Sequence, residues 1–410
     1  MITSLFVDGF KSLQNFRFEI KPGINLLVGP NGAGKSNIIQ FLQFLKVLLE
    51  DGIEKAFNQF GEGLVFSKLE TGFADEISCT VNGKIHYSNS QWIFYRYHFC
   101  LKNKEQNIYF SQQKLEISQS ELNKNPVYKT VFDLQNGIRR TGKRTSNSKI
   151  HIPLEYKYEY ARKIPVLDII TIDRPVSVLI KFDLTQNHFL EISPQKMREK
   201  DGISYKPMIH QDGTGLLSTI YAIQNGLQKP LIARHIPYSE PYQPSVWETI
   251  FFYLKEVNSK IEYFQVEKQP FSNQLIGKAG MVVLNNKIIE FPWTVLSDGT
   301  IKWLALITHI LTSEHSYCIE EPENYLHPWM QSAMIQLIRE EMEGKEQFVL
   351  LSTHSETIIN KITPEEILMI TSETGVTEAK RVLNVKELNQ CMEESGWGMG
   401  YFYTANAIEI

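Results

Sequence analysis

The stretch GPNGAGKS, residues 29–36, decides the fold of this 410-residue chain. It follows an apolar segment, residues 24–28, that is typical of a buried strand, and it precedes the run SNIIQFLQFLKVLLE, which is typical of an apolar helix. A strand, a glycine-rich loop and a helix in this order form a phosphate-binding loop, because backbone N–H groups and the positive helix end can surround a phosphate. The sequence therefore predicts an α/β fold that binds a nucleotide.

Residues of this phosphate loop have distinct predicted roles. Gly32 and Gly34 let the backbone turn inward around a β-phosphate, and Lys35 can reach the β- and γ-phosphates. The Ser36 hydroxyl suits a Mg²⁺ ion. We therefore predict Ser36 as a metal ligand and Lys35 as a catalytic residue. The residues of this region that we predict to bind the nucleotide are Asn31, Gly32, Ala33, Gly34, Lys35, Ser36 and Asn37.

A second motif, SYCIEEP at residues 316–322, is an apolar strand that ends in two acids. We predict that Glu320 holds Mg²⁺ together with Ser36. Glu321, one residue further on, is predicted to act as the general base that polarises the attacking water. Because Asp is commoner than Glu at position 320 in P-loop enzymes, slow turnover is an open alternative. Glu320 and Glu321 are called the acid pair below.

Two further motifs flank the acid pair. The signature segment, LSDGT at residues 296–300, precedes an apolar helix, so the Ser297 hydroxyl and the Gly299 N–H suit an anion at the helix N-terminus. FVLLSTHS at residues 348–355 is an apolar strand that ends near His354, from which a hydrogen bond could reach a γ-phosphate. We add Ser297 and Gly299 to the predicted nucleotide site and His354 to the predicted catalytic residues.

The order GPNGAGKS, LSDGT, CIEEPENYLHP, LLSTHSE resembles the ABC-type AAA ATPase head shared with SMC and RecF-like proteins. Within that group it is similar to the small bacterial ATPases of OLD-like and phage-defence systems. The resemblance implies an α/β P-loop head that hydrolyses ATP with Mg²⁺, and it implies that Lys11, in the turn GFKSL, approaches the phosphates. It also implies that the signature segment contacts ATP bound by a second protomer, in a homodimer or higher homo-oligomer. The glutamine of the family's Q-loop stays open between Gln186 and Gln195.

The middle of the chain departs from a minimal head and indicates an inserted lobe. Residues 60–190 are strand-like, residues 213–226 and 246–260 have the spacing of amphipathic helices, and residues 282–291 are strand-like. No sustained heptads are present, which excludes the long coiled coil of SMC proteins. We predict an N-terminal ATPase lobe with the phosphate loop, a β-rich segment with an inserted helical lobe, and a C-terminal ATPase lobe, at residues 1–90, 91–290 and 291–410.

Composition limits the location of the protein and its partners. The chain has 42 Lys and Arg against 46 Asp and Glu, which excludes coating of nucleic acid by bulk charge. Its 4 cysteines form no C-x-x-C pair, so neither a zinc site nor a disulfide framework is indicated. No apolar run reaches the roughly 18 residues of a membrane helix. We therefore expect a cytoplasmic protein that has no membrane partner.

One local charge excess suggests a partner. Residues 95–163 contain 14 Lys and Arg against 6 Asp and Glu, including the basic loop RRTGKRTSNSK at residues 139–149. A loop of this composition can follow phosphates without reading bases, although a solvated surface loop is a common alternative. We predict possible DNA contact through Arg139, Arg140, Lys143 and Arg144.

These features favour an ATPase that gates a DNA-associated or effector partner, such as a nuclease or toxin encoded nearby, in antiphage defence. The chain stops soon after His354, so we expect no nuclease domain of its own. The alternatives are a RecF-like ATPase of DNA repair or maintenance, the ATP-binding subunit of a transporter, and a nucleotide-gated scaffold that does not hydrolyse ATP. The trigger and the identity of the partner are not specified by these motifs.

Overall fold

A computed structural model describes residues 1–69, 72–88, 90–105, 107–122, 124–135, 138–139, 162–170, 175–229 and 240–409. The strands of this described part are β1 (Ile2–Asp8), β2 (Phe16–Glu19), β3 (Gly23–Val28), β4 (Lys68–Leu69), β5 (Gly72–Phe73), β6 (Glu76–Ser88), β7 (Gln91–Lys104), β8 (Asn107–Ser120), β9 (Lys129–Gln135), β10 (Ile138–Arg139), β11 (His188–Leu190), β12 (Asp201–Gly202), β13 (Ile261–Lys268), β14 (Gln274–Val282), β15 (Ile288–Pro292), β16 (Tyr317–Glu320), β17 (Phe348–Ser352), β18 (Ile367–Glu373) and β19 (Val376–Arg381). The α-helices are α1 (Lys35–Asp51), α2 (Ile53–Phe60), α3 (Val166–Ile170), α4 (Pro175–Thr185), α5 (Pro194–Met197), α6 (Leu216–Gln224), α7 (Pro244–Val257), α8 (Asp298–Thr312), α9 (Pro328–Met342), α10 (Glu356–Ile359), α11 (Val385–Ser395) and α12 (Met399–Thr404).

A six-stranded sheet in the order β11-β16-β17-β3-β18-β19 carries the predicted motifs. Its first five strands run parallel, and only β19 is antiparallel to its neighbour. Strand β17 is buried at every position and β3 at all but its first, which explains their continuous apolar sequences, because elements cover both faces of a parallel sheet. The predicted α/β P-loop fold is thus confirmed.

A seven-stranded antiparallel sheet, in the order β10-β9-β8-β7-β6-β1-β2, accounts for the strand-like sequence that follows the phosphate loop. In β7, Tyr95, Tyr97 and Phe99 alternate with more polar residues and are fully buried. They belong to the same apolar core as Phe41 and Phe44 of α1. This sheet therefore packs its apolar face towards the helix that begins at the phosphate loop.

The inserted helices predicted from periodicity are present as α6 and α7, next to a smaller sheet of β12, β14, β13 and β15. Residues 282–291, predicted to be strand-like, contain the end of one strand, a turn and most of a second strand. Strand β14 ends at Val282 and β15 begins at Ile288, and the two strands pair antiparallel. Asn285 and Asn286, with φ of 65° and 54°, make the turn between them, because Asn tolerates the left-handed conformation better than most residues do.

No helix in the described part of the chain combines the length and the apolar character required to cross a lipid bilayer.

Candidate active site

The predicted motifs converge on one edge of the six-stranded sheet. Strands β3, β16 and β17 run parallel, so the segments that follow them emerge at the same edge. The phosphate loop follows β3, Glu320 ends β16, and His354 lies two residues after β17. The sheet therefore brings together three segments that are far apart in the sequence.

The phosphate loop has a backbone that only glycine allows at several positions. Gly32 and Gly34 have φ of 78° and 99°, in the left-handed region. A Cβ atom on Gly34 would lie 1.9 Å from Oγ1 of Thr377, and one on Gly29 would lie 2.1 Å from the carbonyl oxygen of Ile370. The loop therefore packs closely on β18 and β19, whereas the space beside Gly32 is open.

Lys35 begins α1, and its ammonium group turns back over the loop. Its Nζ donates hydrogen bonds to the carbonyl oxygens of Gly29 at 2.7 Å and Pro30 at 2.9 Å. Burial lowers the pKa of Lys35, while the carboxylates of Glu321 and Glu323 act to raise it. The ammonium group is thus within electrostatic reach of the acids after β16, and it could exchange its carbonyl partners for phosphate oxygens.

A hydrogen-bonded cluster holds the shape of the phosphate loop, and sequence reasoning missed it. The Thr377 hydroxyl donates to the carbonyl oxygen of Ala33 at 2.9 Å and lies 2.7 Å from Oγ of Ser12. Asn37 donates to the same Ser12 oxygen at 2.7 Å. Ala33 and Asn37, both predicted to bind the nucleotide, therefore also brace the loop. Asn31 is exposed next to this braced region.

Lys11 lies beside α1. Its backbone has a φ of 47°, and its Nζ donates to Oε1 of Gln40 at 2.7 Å. Burial lowers the pKa of Lys11. No hydrogen bond within the described residues joins Lys11 to the phosphate loop, so its contact with a nucleotide stays a prediction.

Ser36 and Glu320, the two predicted metal ligands, lie close enough for the Ser36 hydroxyl to affect the pKa of the Glu320 carboxylate. Burial raises the pKa of Glu320, the Ser36 hydroxyl lowers it, and the neighbouring carboxylates of Glu191 and Glu321 raise it further. A hydroxyl beside a carboxylate supplies two oxygen ligands, and Mg²⁺ in nucleotide sites takes few protein oxygens besides water and phosphate. The residues present therefore fit a Mg²⁺ site.

Glu321 leaves β16 in a left-handed backbone conformation with a φ of 43°. Its N–H donates to the carbonyl oxygen of Ser352 on β17 at 3.0 Å, which holds this turn against the neighbouring strand. Its carboxylate accepts a hydrogen bond from Asn324 at 3.0 Å and is exposed, so water can reach it. Unusual backbone geometry of this kind is often found where a side chain is held for function.

Glu323 connects the acid pair to the segment after β17, a role that sequence reasoning missed. Its Oε1 accepts a hydrogen bond from the backbone N–H of His354 at 2.8 Å. Its Oε2 is buried and has no hydrogen-bond partner among the described residues. A buried carboxylate oxygen favours a donor, such as a water molecule bound in the site. The His354 side chain is exposed at the same sheet edge.

Lys302 is a further residue whose role sequence reasoning missed. It is buried on α8, and its Nζ donates to the carbonyl oxygen of Glu321 at 3.3 Å. Burial lowers the pKa of Lys302 to about 8, against the opposing effect of the carboxylates of Glu323 and Glu321. The lysine therefore joins the helix of the signature segment to the acid pair. Its position in the otherwise apolar run IKWLALITHIL was the available signal.

The signature segment begins α8 as predicted. The Ser297 hydroxyl caps the helix by accepting a hydrogen bond from the Thr300 N–H at 3.2 Å. A Cβ atom on Gly299 would lie 2.5 Å from the carbonyl oxygen of Tyr325, so glycine permits close contact with the segment after the acid pair. No hydrogen bond within the described residues joins Ser297 or Gly299 to the phosphate loop of the same chain.

The sheet also separates the two Q-loop alternatives. Gln186 precedes β11, at the amino end of that strand, whereas Gln195 lies on α5, beyond its carboxyl end. Because the site lies at the carboxyl edge, the topology favours Gln195.

Of the predicted DNA contacts, Arg139 ends strand β10, while Arg140, Lys143 and Arg144 lie outside the described residues.

Two protein families match the chain. The family described as "AAA ATPase domain" matches residues 1–208, which is half of the chain. The family described as "AAA domain, putative AbiEii toxin, Type IV TA system" matches residues 262–360. The first match contains the phosphate loop, and the second contains the signature segment, the acid pair and His354.

A curated relative, the DNA replication and repair protein RecF of Erwinia tasmaniensis, is 31% identical over 72 residues, which cover 18% of this chain and 18% of RecF. The matched part is therefore less than a fifth of that relative.

Among solved structures, an SMC head bound to the C-winged helix domain of ScpA aligns with a TM-score of 0.53 and 14% identity, covering 94% of this chain and 99% of that chain. The SMC head of Thermotoga maritima aligns with a TM-score of 0.39 and 12% identity over 93% and 99% of the two chains. The first alignment supports the fold. The chain therefore belongs to the AAA ATPase domain family, and its fold is similar to that of the SMC head.

Proposed function

We propose that this protein hydrolyses ATP to ADP and phosphate. The observation that carries the proposal is the gathering of Lys35, the Ser36–Glu320 pair and Glu321 at one edge of the sheet. In the proposed step, Glu321 takes a proton from water as the water oxygen attacks the γ-phosphorus. The bond from the γ-phosphorus to the bridging oxygen breaks, and that oxygen leaves with ADP.

Other residues of the site would stabilise charge on the phosphates. The Lys35 ammonium and the loop N–H groups would bind the β- and γ-phosphate oxygens, and His354 would donate to the γ-phosphate. Mg²⁺ held by Ser36 and Glu320 would neutralise phosphate charge. Lys302 and the Glu321–Ser352 backbone bond would keep the general base in place.

We further propose that two copies close on two ATP molecules, with the signature segment of each copy on the nucleotide of the other. Within the described residues, no hydrogen bond joins Ser297 to its own phosphate loop, and the start of α8 is a suitable place for an anion, which supports this arrangement. Each active site would then need residues of both copies.

Replacing Ser297 by Arg tests the composite site. We expect Ser297→Arg to abolish hydrolysis without preventing ATP binding, because its own phosphate loop is intact while the bulky cation blocks the partner's nucleotide. Mixing it with Lys35→Ala protein should restore at most one working site per pair, measured as phosphate release from the mixture. Ser395→Arg, on exposed α11, is the matched control. Full activity of a strictly monomeric enzyme would contradict the arrangement.

For the cellular role, we propose that the ATP cycle gates an effector encoded nearby, such as a nuclease or toxin, in antiphage defence. The match to the family described with a putative AbiEii toxin supports this role. A RecF-like role in DNA repair or maintenance is the second candidate, supported by the match to RecF. Neighbouring genes distinguish them, since effector genes favour the first role and replication or repair genes favour the second. A steady-state ATPase assay would separate both from a scaffold that does not hydrolyse ATP.

The basic loop gives a test of DNA contact. Replacing Arg139, Arg140, Lys143 and Arg144 together by Ser should weaken DNA binding, because fewer counterions are released from the phosphates. The slope of log affinity against log salt should become shallower by up to about 4, measured by fluorescence anisotropy at several salt concentrations. Replacing Lys55 and Lys380 by Ser is the control for the loss of positive charge elsewhere on the protein. Affinity that the four replacements do not change would leave the loop without a role in DNA binding.

A further inference from the structure

Arg198, in the loop after α5, makes four polar contacts, of which two are with the signature segment, one is with the residues just before it and one is with α5. Its guanidinium group donates to the carbonyl oxygens of Thr294 at 3.0 Å and Leu296 at 2.8 Å, and to that of Pro194 at 3.2 Å. It also forms an ion pair with Asp298 at 2.5 Å. One side chain thus ties the segment that follows β11 to the start of α8.

The ion pair places a carboxylate inside the segment that the proposed function assigns to the partner's ATP. Asp298 is the first residue of α8 and lies between Ser297 and Gly299. An acid at this position stabilises the helix, but its negative charge would repel a triphosphate. Its side chain is 41% exposed, so its charge would face an approaching nucleotide unless a cation offsets it.

The guanidinium group of Arg198 is suited both to holding the signature segment in place and to offsetting the charge of Asp298. Its planar fork can donate in several directions at once, which a lysine ammonium on a flexible stem does less well. Thr294 and Leu296 closely precede Ser297 in the chain, so the two hydrogen bonds to their carbonyl oxygens restrain the backbone that leads to Ser297. The charge of the same group offsets Asp298.

We propose that Arg198 is a positioning residue for ATP-dependent pairing: it orients Ser297 and Gly299 and cancels the charge of Asp298, so that α8 accepts the triphosphate of a second copy. This inference rests on the proposed composite site. Arg198 acts on the signature segment of its own chain, and among the described residues no hydrogen bond or ion pair joins it to its own phosphate loop.

The test uses the full chain carrying Glu321→Gln, so that ATP is bound but not consumed, and follows ATP-dependent dimerisation by light scattering and analytical ultracentrifugation. Adding Arg198→Met should weaken dimerisation by at least about 10-fold, because hydrogen bonds to a charged group are lost and Asp298 is left uncompensated. The affinity of the unpaired chain for a fluorescent ATP analogue should not change. Arg96→Met, which removes an arginine of β7, is the matched control.

The double replacement Arg198→Met with Asp298→Asn separates charge cancellation from a general loss of structure. Removing the uncompensated carboxylate should recover a substantial part of the lost dimerisation, whereas a purely structural defect would not recover. If Arg198→Met lowers the melting temperature, Arg198→Lys keeps the charge with fewer donors and should give an intermediate loss.

Each outcome bears on a separate claim. If the Glu321→Gln parent does not dimerise with ATP, the composite site of the proposed function fails. If the parent dimerises and Arg198→Met dimerises equally well, the role of Arg198 fails. The proposal is also overturned if the double variant dimerises with ATP no more strongly than Arg198→Met does.

Discussion

Replacing Glu321 by Gln should lower ATP turnover by about 100-fold or more while ATP affinity is retained, because the amide keeps the size of the side chain but cannot accept the proton of the attacking water. The hydrogen bond from Asn324 and the backbone bond to Ser352 can both persist in the variant. Steady-state phosphate release and equilibrium binding of a fluorescent ATP analogue measure the two quantities separately.

Glu393→Gln on α11 is the control for loss of one exposed carboxylate. Normal hydrolysis by Glu321→Gln would refute its assignment as the general base. Glu323 would then be the next residue to test, because its Oε2 has no hydrogen-bond partner among the described residues and its carboxylate acts on Lys35. Glu323→Gln would distinguish the two carboxylates, since the amide oxygen can still accept from the His354 N–H.

Replacing Lys35 by Ala should weaken ATP binding by about 100-fold or more, because the charged hydrogen bonds that it can form with two phosphates are both removed. In the structure its ammonium group is bound to the carbonyl oxygens of Gly29 and Pro30, so binding exchanges these partners for phosphate oxygens. Titration with a fluorescent ATP analogue gives the affinity, and phosphate release should fall with it.

Lys55→Ala is the matched control, since Lys55 is an exposed residue of α2 and its ion pair with Asp51 lies on the surface. The melting temperature of Lys35→Ala in the absence of ATP shows whether the loop itself is disturbed. Unchanged ATP affinity in a folded Lys35→Ala protein would show that the nucleotide binds elsewhere.

The sequence by itself was sufficient for the fold class and for the positions of the main motifs along the chain. Each of these depends on local information: an apolar strand, a glycine-rich loop and a helix follow one another within 24–51, and the acids directly follow an apolar strand. Periodicity also located α6 and α7. It did not show the break within residues 282–291, where Asn285 and Asn286 make a turn between two strands.

Tertiary structure decided which residues support the motifs. Ser12 braces the phosphate loop together with Thr377, which lies on a strand near the other end of the chain. Which Q-loop alternative lies near the site depended on the direction of β11 in the sheet. These relations require strands from distant parts of the chain to be neighbours, and no local pattern encodes that neighbourhood.

The same limit applies to Lys302, Glu323 and Arg198. Read along the chain, they are a charge in an apolar helix, an acid in a loop and a surface arginine, and each reading is compatible with an ordinary solvated or helix-capping role. The fold gives them their partners: the carbonyl oxygen of Glu321, the N–H of His354 and the carboxylate of Asp298. Local sequence thus determined which reactive groups the chain carries. Long-range packing decided which side chains position those groups, because hydrogen bonds and charge pairs depend on distance in space.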